Sequence, residues 1–166
     1  MGVRAAAPLE VGLCVSDMDA SLAFYRDALG LTVVSDIEQA ADKARASGLA
    51  SGAYRVIRLQ APFGERVKLF LPRAAEPAVP APRSPLDRCG FAFLTVIVAD
   101  IRATLAELAR HTGLADPPDP VELRPGTWVS LIHDPDGVAV EIVAYDDLGA
   151  YRSELGARPT PAARAY

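Results

Sequence analysis

The sequence predicts an α+β fold in which one unit, a strand, a helix and three more strands, occurs twice. Three observations carry this prediction. The chain matches itself at an offset of 83 residues, each copy brackets a helical pattern between an Asp and a Gly, and strand-like runs flank both helices in the same order.

The match lays VSDMDASLAFYRDALGL (15–31) over VADIRATLAELARHTGL (98–114). It pairs Val15 with Val98, Asp17 with Asp100, Ala20 with Ala103, Leu22 with Leu105, Ala23 with Ala106, Gly30 with Gly113 and Leu31 with Leu114. An N-cap Asp accepts from first-turn N–H groups that have no intrahelical partner, and a Gly just past the end tolerates the left-handed conformation that closes a helix. Between these caps Met18, Leu22, Tyr25 and Leu29 recur at helical spacing, as do Ile101, Leu105 and Leu108. The β-rich runs LEVGLCVSD and FLTVIVAD precede the helices. Further strands are expected at 32–38, 54–60 and 66–71, then at 121–124, 128–133 and 138–145.

A second register, offset by 73, lays FGERVKLF (63–70) over DGVAVEIV (136–143) and matches Gly64 with Gly137 and Val67 with Val140. Both copies therefore end in a tight turn and a last strand. The change of offset makes the first copy about ten residues longer in its middle, and QAADKARASGLASGA (39–53) is the surplus, a surface loop or short helix. Module one is expected over about 8–72 and module two over about 89–147, joined by the Pro-rich, stiff segment 72–88. Residues 1–147 are read as a single domain and 148–166 as a tail, in which Leu148, Tyr151 and Leu155 share a weakly helical face.

The chain has 166 residues, 51% of them hydrophobic, enough for one well-buried core. Its net charge of −4 comes from interspersed charges without a basic stripe, which argues against a nucleic-acid partner. No apolar run is long enough to span a bilayer and the N-terminus has no apolar signal core, so the expected location is cytoplasmic. Cys14 and Cys89 form no CxxC pair and are read as reduced thiols. Nucleophile-elbow, phosphate-loop and dinucleotide-binding patterns are absent.

Strand alternation assigns faces. If Val11, Leu13 and Val15 cover the helix, then Glu10, Gly12 and Cys14 point away. Likewise Lys68 and Phe70 oppose Val67, Leu69 and Leu71; Phe93, Thr95 and Ile97 oppose Leu94, Val96 and Val98; and Ala139, Glu141 and Val143 oppose Val138, Val140 and Ile142. The two offsets make Glu10 equivalent to Phe93 and Lys68 equivalent to Glu141, near the centre of a sheet surface made by both copies. A mid-strand carboxylate is costly without compensation. Lys68 is the expected partner of Glu141, and Glu10 its neighbour.

The motifs VGLCVSDMDASLAFYRDALGL and DPDGVAVEIV, with the paired layout over about residues 8–146, resemble the vicinal oxygen chelate superfamily, which includes glyoxalase I, bleomycin-resistance proteins and extradiol dioxygenases. The resemblance implies two βαβββ modules forming a curved, cup-like mixed sheet with helices outside, a small-molecule ligand in the cup, and a homodimer. In many members His, Glu or Gln from the first and last strands of both modules hold a divalent metal. Carried over, those positions are Glu10, Lys68, Phe93 and Glu141, and only the two Glu residues keep a metal-binding group. Phe93 has no donor atom. A protonated Lys68 about 4 Å from a unit positive charge would repel it by roughly 4 kcal/mol at an effective dielectric near 20. No cofactor is therefore expected, and Glu10 and Glu141 with water would hold Mg²⁺, Mn²⁺, Zn²⁺ or Fe²⁺ only weakly.

Two readings of Glu10, Lys68 and Glu141 stand side by side. One is a structural charge cluster in which Lys68 compensates two carboxylates. In the other, Glu141 is a general base, Lys68 stabilises developing oxyanion charge and Glu10 is a second acid/base group. Phe93, Phe70, Arg58, Tyr54, Cys14 and Ile97 are the candidate substrate-binding residues, Arg58 as a holder of carboxylate or phosphate oxygens. His111 and His133 are read as surface positions, and core packing is the default for Trp128. The leading functional expectation is a metal-independent isomerase or lyase acting by proton transfer on a small carbonyl-containing metabolite. A non-catalytic drug- or metabolite-sequestering protein is the alternative, and a metal-dependent glyoxalase- or dioxygenase-like enzyme the third.

Overall fold

The computed structural model describes residues 6–74, 84–87 and 89–157, which fall into two compact units. The first unit contains β1 (Glu10–Cys14), α1 (Met18–Leu22), a π-helical continuation (Ala23–Ala28), β2 (Thr32–Gln39), α2 (Ala41–Ala46), β3 (Tyr54–Gln60) and β4 (Arg66–Pro72). Its sheet runs β1-β4-β3-β2, with β1 parallel to β4 and the other pairs antiparallel. The second contains β5 (Leu94–Ile97), α3 (Ile101–Thr112), β6 (Val121–Arg124), β7 (Thr127–His133) and β8 (Ala139–Tyr145). Its order, β5-β8-β7-β6, and its single parallel pair repeat the first. Each unit is thus the expected strand, helix and three strands.

The repeat extends to individual hydrogen bonds. Asp17 accepts from Ala20 N at 3.0 Å and Asp100 from Ala103 N at 3.0 Å. Ser21 and Thr104 each donate a hydroxyl to the cap residue's carbonyl at 2.8 Å. Val15 N donates to Phe70 O and Val98 N to Val143 O, both at 2.8 Å, tying each helix approach to its module's last strand. The turns correspond too: Ala61 N donates to Glu65 O and Asp134 N to Val138 O. Gly64 and Gly137 take φ of +100° and +83°, a region that suits glycine. In the second turn the buried Asp134 carboxylate also accepts from Asp136 N and Val138 N, so the ladder of β8 begins at Ala139 rather than 138.

In each module the core lies between the long helix and the sheet. Leu13, Val15, Met18, Leu22, Ile57, Leu59 and Leu69 are buried in the first, and Ile101, Leu105, Leu108, Ile132, Val140 and Ile142 in the second. The first helix departs from the expected regular α-helix. Leu29 N donates to Phe24 O, an i to i−5 bond that widens the turn. Two consecutive aromatics, Phe24 and Tyr25, are thereby 2% and 1% exposed and pack edge to face at 4.9 Å. At the equivalent positions of the regular α3, Leu108 is buried and Glu107 exposed.

The surplus of module one forms α2, six residues with no side-chain N-cap. Ala44 is fully buried against Tyr54 and Val56, with Ala50 and Phe70 alongside. These β-residues have the parity opposite to Ile57, Leu59 and Leu69, so α2 covers the sheet face turned away from α1, here called the distal face. The segment read as a linker starts later than expected, since Pro72 still pairs with Tyr54 in the sheet. A 3-10 turn, Pro85–Asp87, precedes module two, while 75–83 and 88 lie outside the described residues. In the tail, α4 (Leu148–Tyr151) stacks Tyr151 on Tyr145 at 4.1 Å, a 3-10 segment (Ser153–Ala157) follows, and 158–166 lie outside the described residues.

Candidate functional site

Strand pairing arranges the distal face of module one in transverse rows. Glu10, Arg66 and Gln60 form one; Gly12, Lys68, Arg58 and Ser35 the next; Cys14, Phe70, Val56 and Ile37 a third. Neighbours within a row sit on adjacent strands about 4.8 Å apart, and successive rows on one face are about 6.6 Å apart. Chemistry therefore changes along the strands from charged to apolar within two rows.

In the charged rows Lys68 Nζ lies 3.3 Å from Glu10 Oε2, and a guanidinium nitrogen of Arg66 3.5 Å from Glu10 Oε1. Arg66 Nε also donates to Gln60 Oε1 at 2.8 Å, which fixes its guanidinium. Arg58 donates to Ser35 Oγ at 3.0 Å, and among the described residues no carboxylate lies within ion-pair distance of it. In these two strand rows the charged groups are three cations and one carboxylate.

In the apolar row the Phe70 ring lies over β1, and a Cβ added to Gly12 would meet Phe70 Cε2 at 3.0 Å. Tyr54 meets Phe70 edge to face at 5.4 Å. With Cys14, Pro72 and the turn after α2 they line an open pocket of about 290 Å³. Gly12, Cys14, Tyr54, Phe70 and Pro72 line it from the strands, and Leu49, which is exposed, and Ala50 from the turn after α2. Cys14, a free thiol, is exposed there rather than packed away.

In module two Glu141 occupies the position equivalent to Lys68. It lies between Thr95 and Leu131 in the sheet, and Thr95 Oγ1 donates to its Oε2 at 2.8 Å. Ile97, Val143 and Val129 form the adjoining apolar row. Phe93 stands one residue ahead of β5, half-buried. His133 is exposed at the end of β7, and His111 sits in the last turn of α3 beside Glu107. Trp128, whose face the sequence left open, is half-buried with the parity of the buried Ser130 and Ile132.

The residues at the four superfamily metal positions do not fit a divalent cation. Glu10 is engaged by Lys68 and Arg66, Phe93 offers no donor, and Glu141 has a hydroxyl rather than a second ligand-type side chain beside it. Among the described residues no three His, Cys, Asp or Glu side chains cluster as metal ligands do.

Of the expected site residues, the first module brings together Glu10, Lys68 and Arg58 on the charged rows and Cys14, Tyr54 and Phe70 at the cavity. The second brings together Glu141 and Ile97 on neighbouring rows. Gly12, Leu49, Ala50 and Pro72 at the cavity, Arg66 on Glu10 and Thr95 on Glu141 were not foreseen. Arg66 and Thr95 share parity with Lys68 and Glu141, a signal the sequence does contain. Leu49 and Ala50 depend on how the insert folds back, which no periodicity encodes.

No curated protein matches the chain by sequence. Solved structures do match its fold. A glyoxalase family protein from Bacillus cereus is 17% identical over 86% of this chain and 96% of its own, with a TM-score of 0.68. A glyoxylase/bleomycin resistance protein/dioxygenase domain from Frankia sp. is 18% identical over 88% and 95%, with a TM-score of 0.61. The trypanothione-dependent glyoxalase I of Leishmania major is 19% identical over 93% and 100%, with a TM-score of 0.59. The family model for the glyoxalase/bleomycin resistance protein/dioxygenase superfamily matches residues 8–142, through both modules and nearly to the end of the last strand, and the chain belongs to that superfamily.

Proposed function

We propose that this chain is a metal-independent enzyme of the isomerase or lyase type, moving a proton on a small carbonyl-containing metabolite. The observation that carries the reading is the ion pairing of Glu10 by Lys68 at 3.3 Å and Arg66 at 3.5 Å. One cation, Lys68, stands at a position where the resemblance implies a metal ligand, with Arg66 beside it, and cations can supply the electrostatic stabilisation of an enolate oxygen that a metal otherwise gives. Glu141 is the proposed base. Its one described donor, Thr95, orients the carboxylate at Oε2, and a positioned carboxylate contributes about 10²–10⁴-fold in proton transfer. Lys68 is the proposed electrostatic partner and Glu10 the second acid/base group.

The test follows exchange of the C–H next to the carbonyl in D₂O by proton NMR, across a panel of 2-oxo and 3-oxo acids. Wild type is expected to accelerate exchange of at least one member, with chelator making no difference, and Glu141→Gln to lower that rate at least 100-fold. Equal exchange by Glu141→Gln and wild type, or loss of exchange on chelation, overturns the proposal. The apolar cavity of module one favours a second reading, non-catalytic sequestration of a small molecule, in which Glu141→Gln leaves ligand affinity intact and no panel member exchanges.

A further inference from the structure

The polarity of the distal face of module one says more about the ligand than that it carries a carbonyl. The row of Gly12, Lys68 and Arg58 adjoins the row of Cys14, Phe70 and Val56, so cations and cavity are about 6.6 Å apart along the strands. The Glu10 carboxylate is shared between Lys68 and Arg66, whereas half-buried Arg58 has a hydroxyl, Ser35 Oγ, and among the described residues no carboxylate. A planar guanidinium held on one side by a neutral acceptor is suited to a planar anion. The cavity of about 290 Å³ exceeds the ~150 Å³ that accommodates a benzene ring. A Cβ at residue 12 would press on the Phe70 ring at 3.0 Å, so glycine there leaves room for the ring over β1.

We infer that the ligand of this face is a small carboxylic acid bearing one aromatic or branched aliphatic group, its carboxylate on Arg58 beside Lys68 and its apolar group in the pocket beside the turn after α2. Gly12 and Leu49 then set the size of the apolar group, and Arg58 sets the requirement for charge. This rests on the proposed function only in taking the distal face of module one as a ligand site.

The test is a calorimetric titration of the full chain with three probes: 3-phenylpropionate, the neutral 3-phenylpropanamide and propionate. The aromatic acid is expected to bind at least tenfold more tightly than the amide and than propionate. Arg58→Gln should bring acid and amide within threefold of each other, while Arg58→Lys retains part of the preference. Gly12→Val should bring 3-phenylpropionate down to the affinity of propionate. Leu49→Asp, at a position 63% exposed and outside the core, should weaken 3-phenylpropionate at least tenfold. Equal binding of acid and amide by wild type overturns the role of Arg58, and an unchanged affinity in Leu49→Asp overturns the cavity. The titration needs no turnover and is read independently of proton exchange. Failure of proton exchange with intact acid selectivity therefore removes the enzyme proposal alone.

Discussion

At the scale of the residue, charge is handled in three ways along this chain. Asp134 is buried and spends its carboxylate on the backbone of the DPDG turn, accepting from Asp136 and Val138 N–H groups at 3.0 and 2.8 Å. Asp134→Ala strips those donors of their acceptor and is expected to cost about 1–3 kcal/mol, read as a lower urea midpoint with unchanged slope. Asp36 is exposed, and the bidentate bonds from Arg55 at 2.9 and 2.6 Å hold its carboxyl below the ordinary carboxylate range. A depressed folded-state value adds stability above the ordinary carboxylate pKa, and that stability is lost as pH falls through the folded value. Arg55→Gln should therefore lower stability at neutral pH and not at strongly acidic pH, by under about 1 kcal/mol because solvent screens the pair, read as a slightly lower melting temperature at neutral pH alone. Glu141, half-buried on a single hydroxyl donor, belongs to neither case. Among the described residues neither a backbone group nor an arginine claims this strand carboxylate.

Among the elements, α2 is where module one differs most from module two. Six residues without a side-chain cap are too short to be stable as an isolated helix. Burial of Ala44 under the sheet is what holds it. Ala44→Leu is expected to overpack that contact, costing about 1–3 kcal/mol locally. Amide hydrogen exchange should show Leu49 and Ala50, whose N–H groups bond to Ala44 O, losing protection while β3 and β4 keep theirs. Unchanged protection at 49 and 50 would mean the helix does not depend on Ala44. The π-helical segment is a different case: it was hidden in the sequence because Met18, Leu22, Tyr25 and Leu29 satisfy ordinary helical spacing. What betrays it is the pair Phe24 and Tyr25, two adjacent aromatics of which a regular turn could bury only one, and the wider turn buries both. Phe24→Ala should cost about 3–5 kcal/mol, as a fully buried ring does, rather than the small amount expected of a surface helix position.

For the whole molecule, duplication made most of the fold legible. Matched caps, matched turns and strand parity foretold the strand order within each module's sequence, and most strand ends fall within a residue of their expected positions, because each rests on a local signal with a hydrogen bond behind it. The candidate site was legible only as far as parity reaches. Parity put Glu10, Lys68, Phe70 and Arg58 on one face of module one, but it carries no information on how a side chain bends toward a neighbour, such as Arg66 toward Glu10, or on where an insert packs. The two modules have also divided their chemistry: cations on the face of the first, a carboxylate at the equivalent place in the second. The way each module joins its first strand to its last shows why this was open to them. The paired residues Glu10 and Arg66 are 56 apart in the chain, and Thr95 and Glu141 are 46 apart. Loop-closure entropy grows only with the logarithm of length, so the longer module loses about 0.2 kcal/mol to its extra chain. For a chain-entropy penalty smaller than that of one misplaced methyl group, the first module could acquire a new helix, and with it a pocket, while the sheet beneath stayed in register.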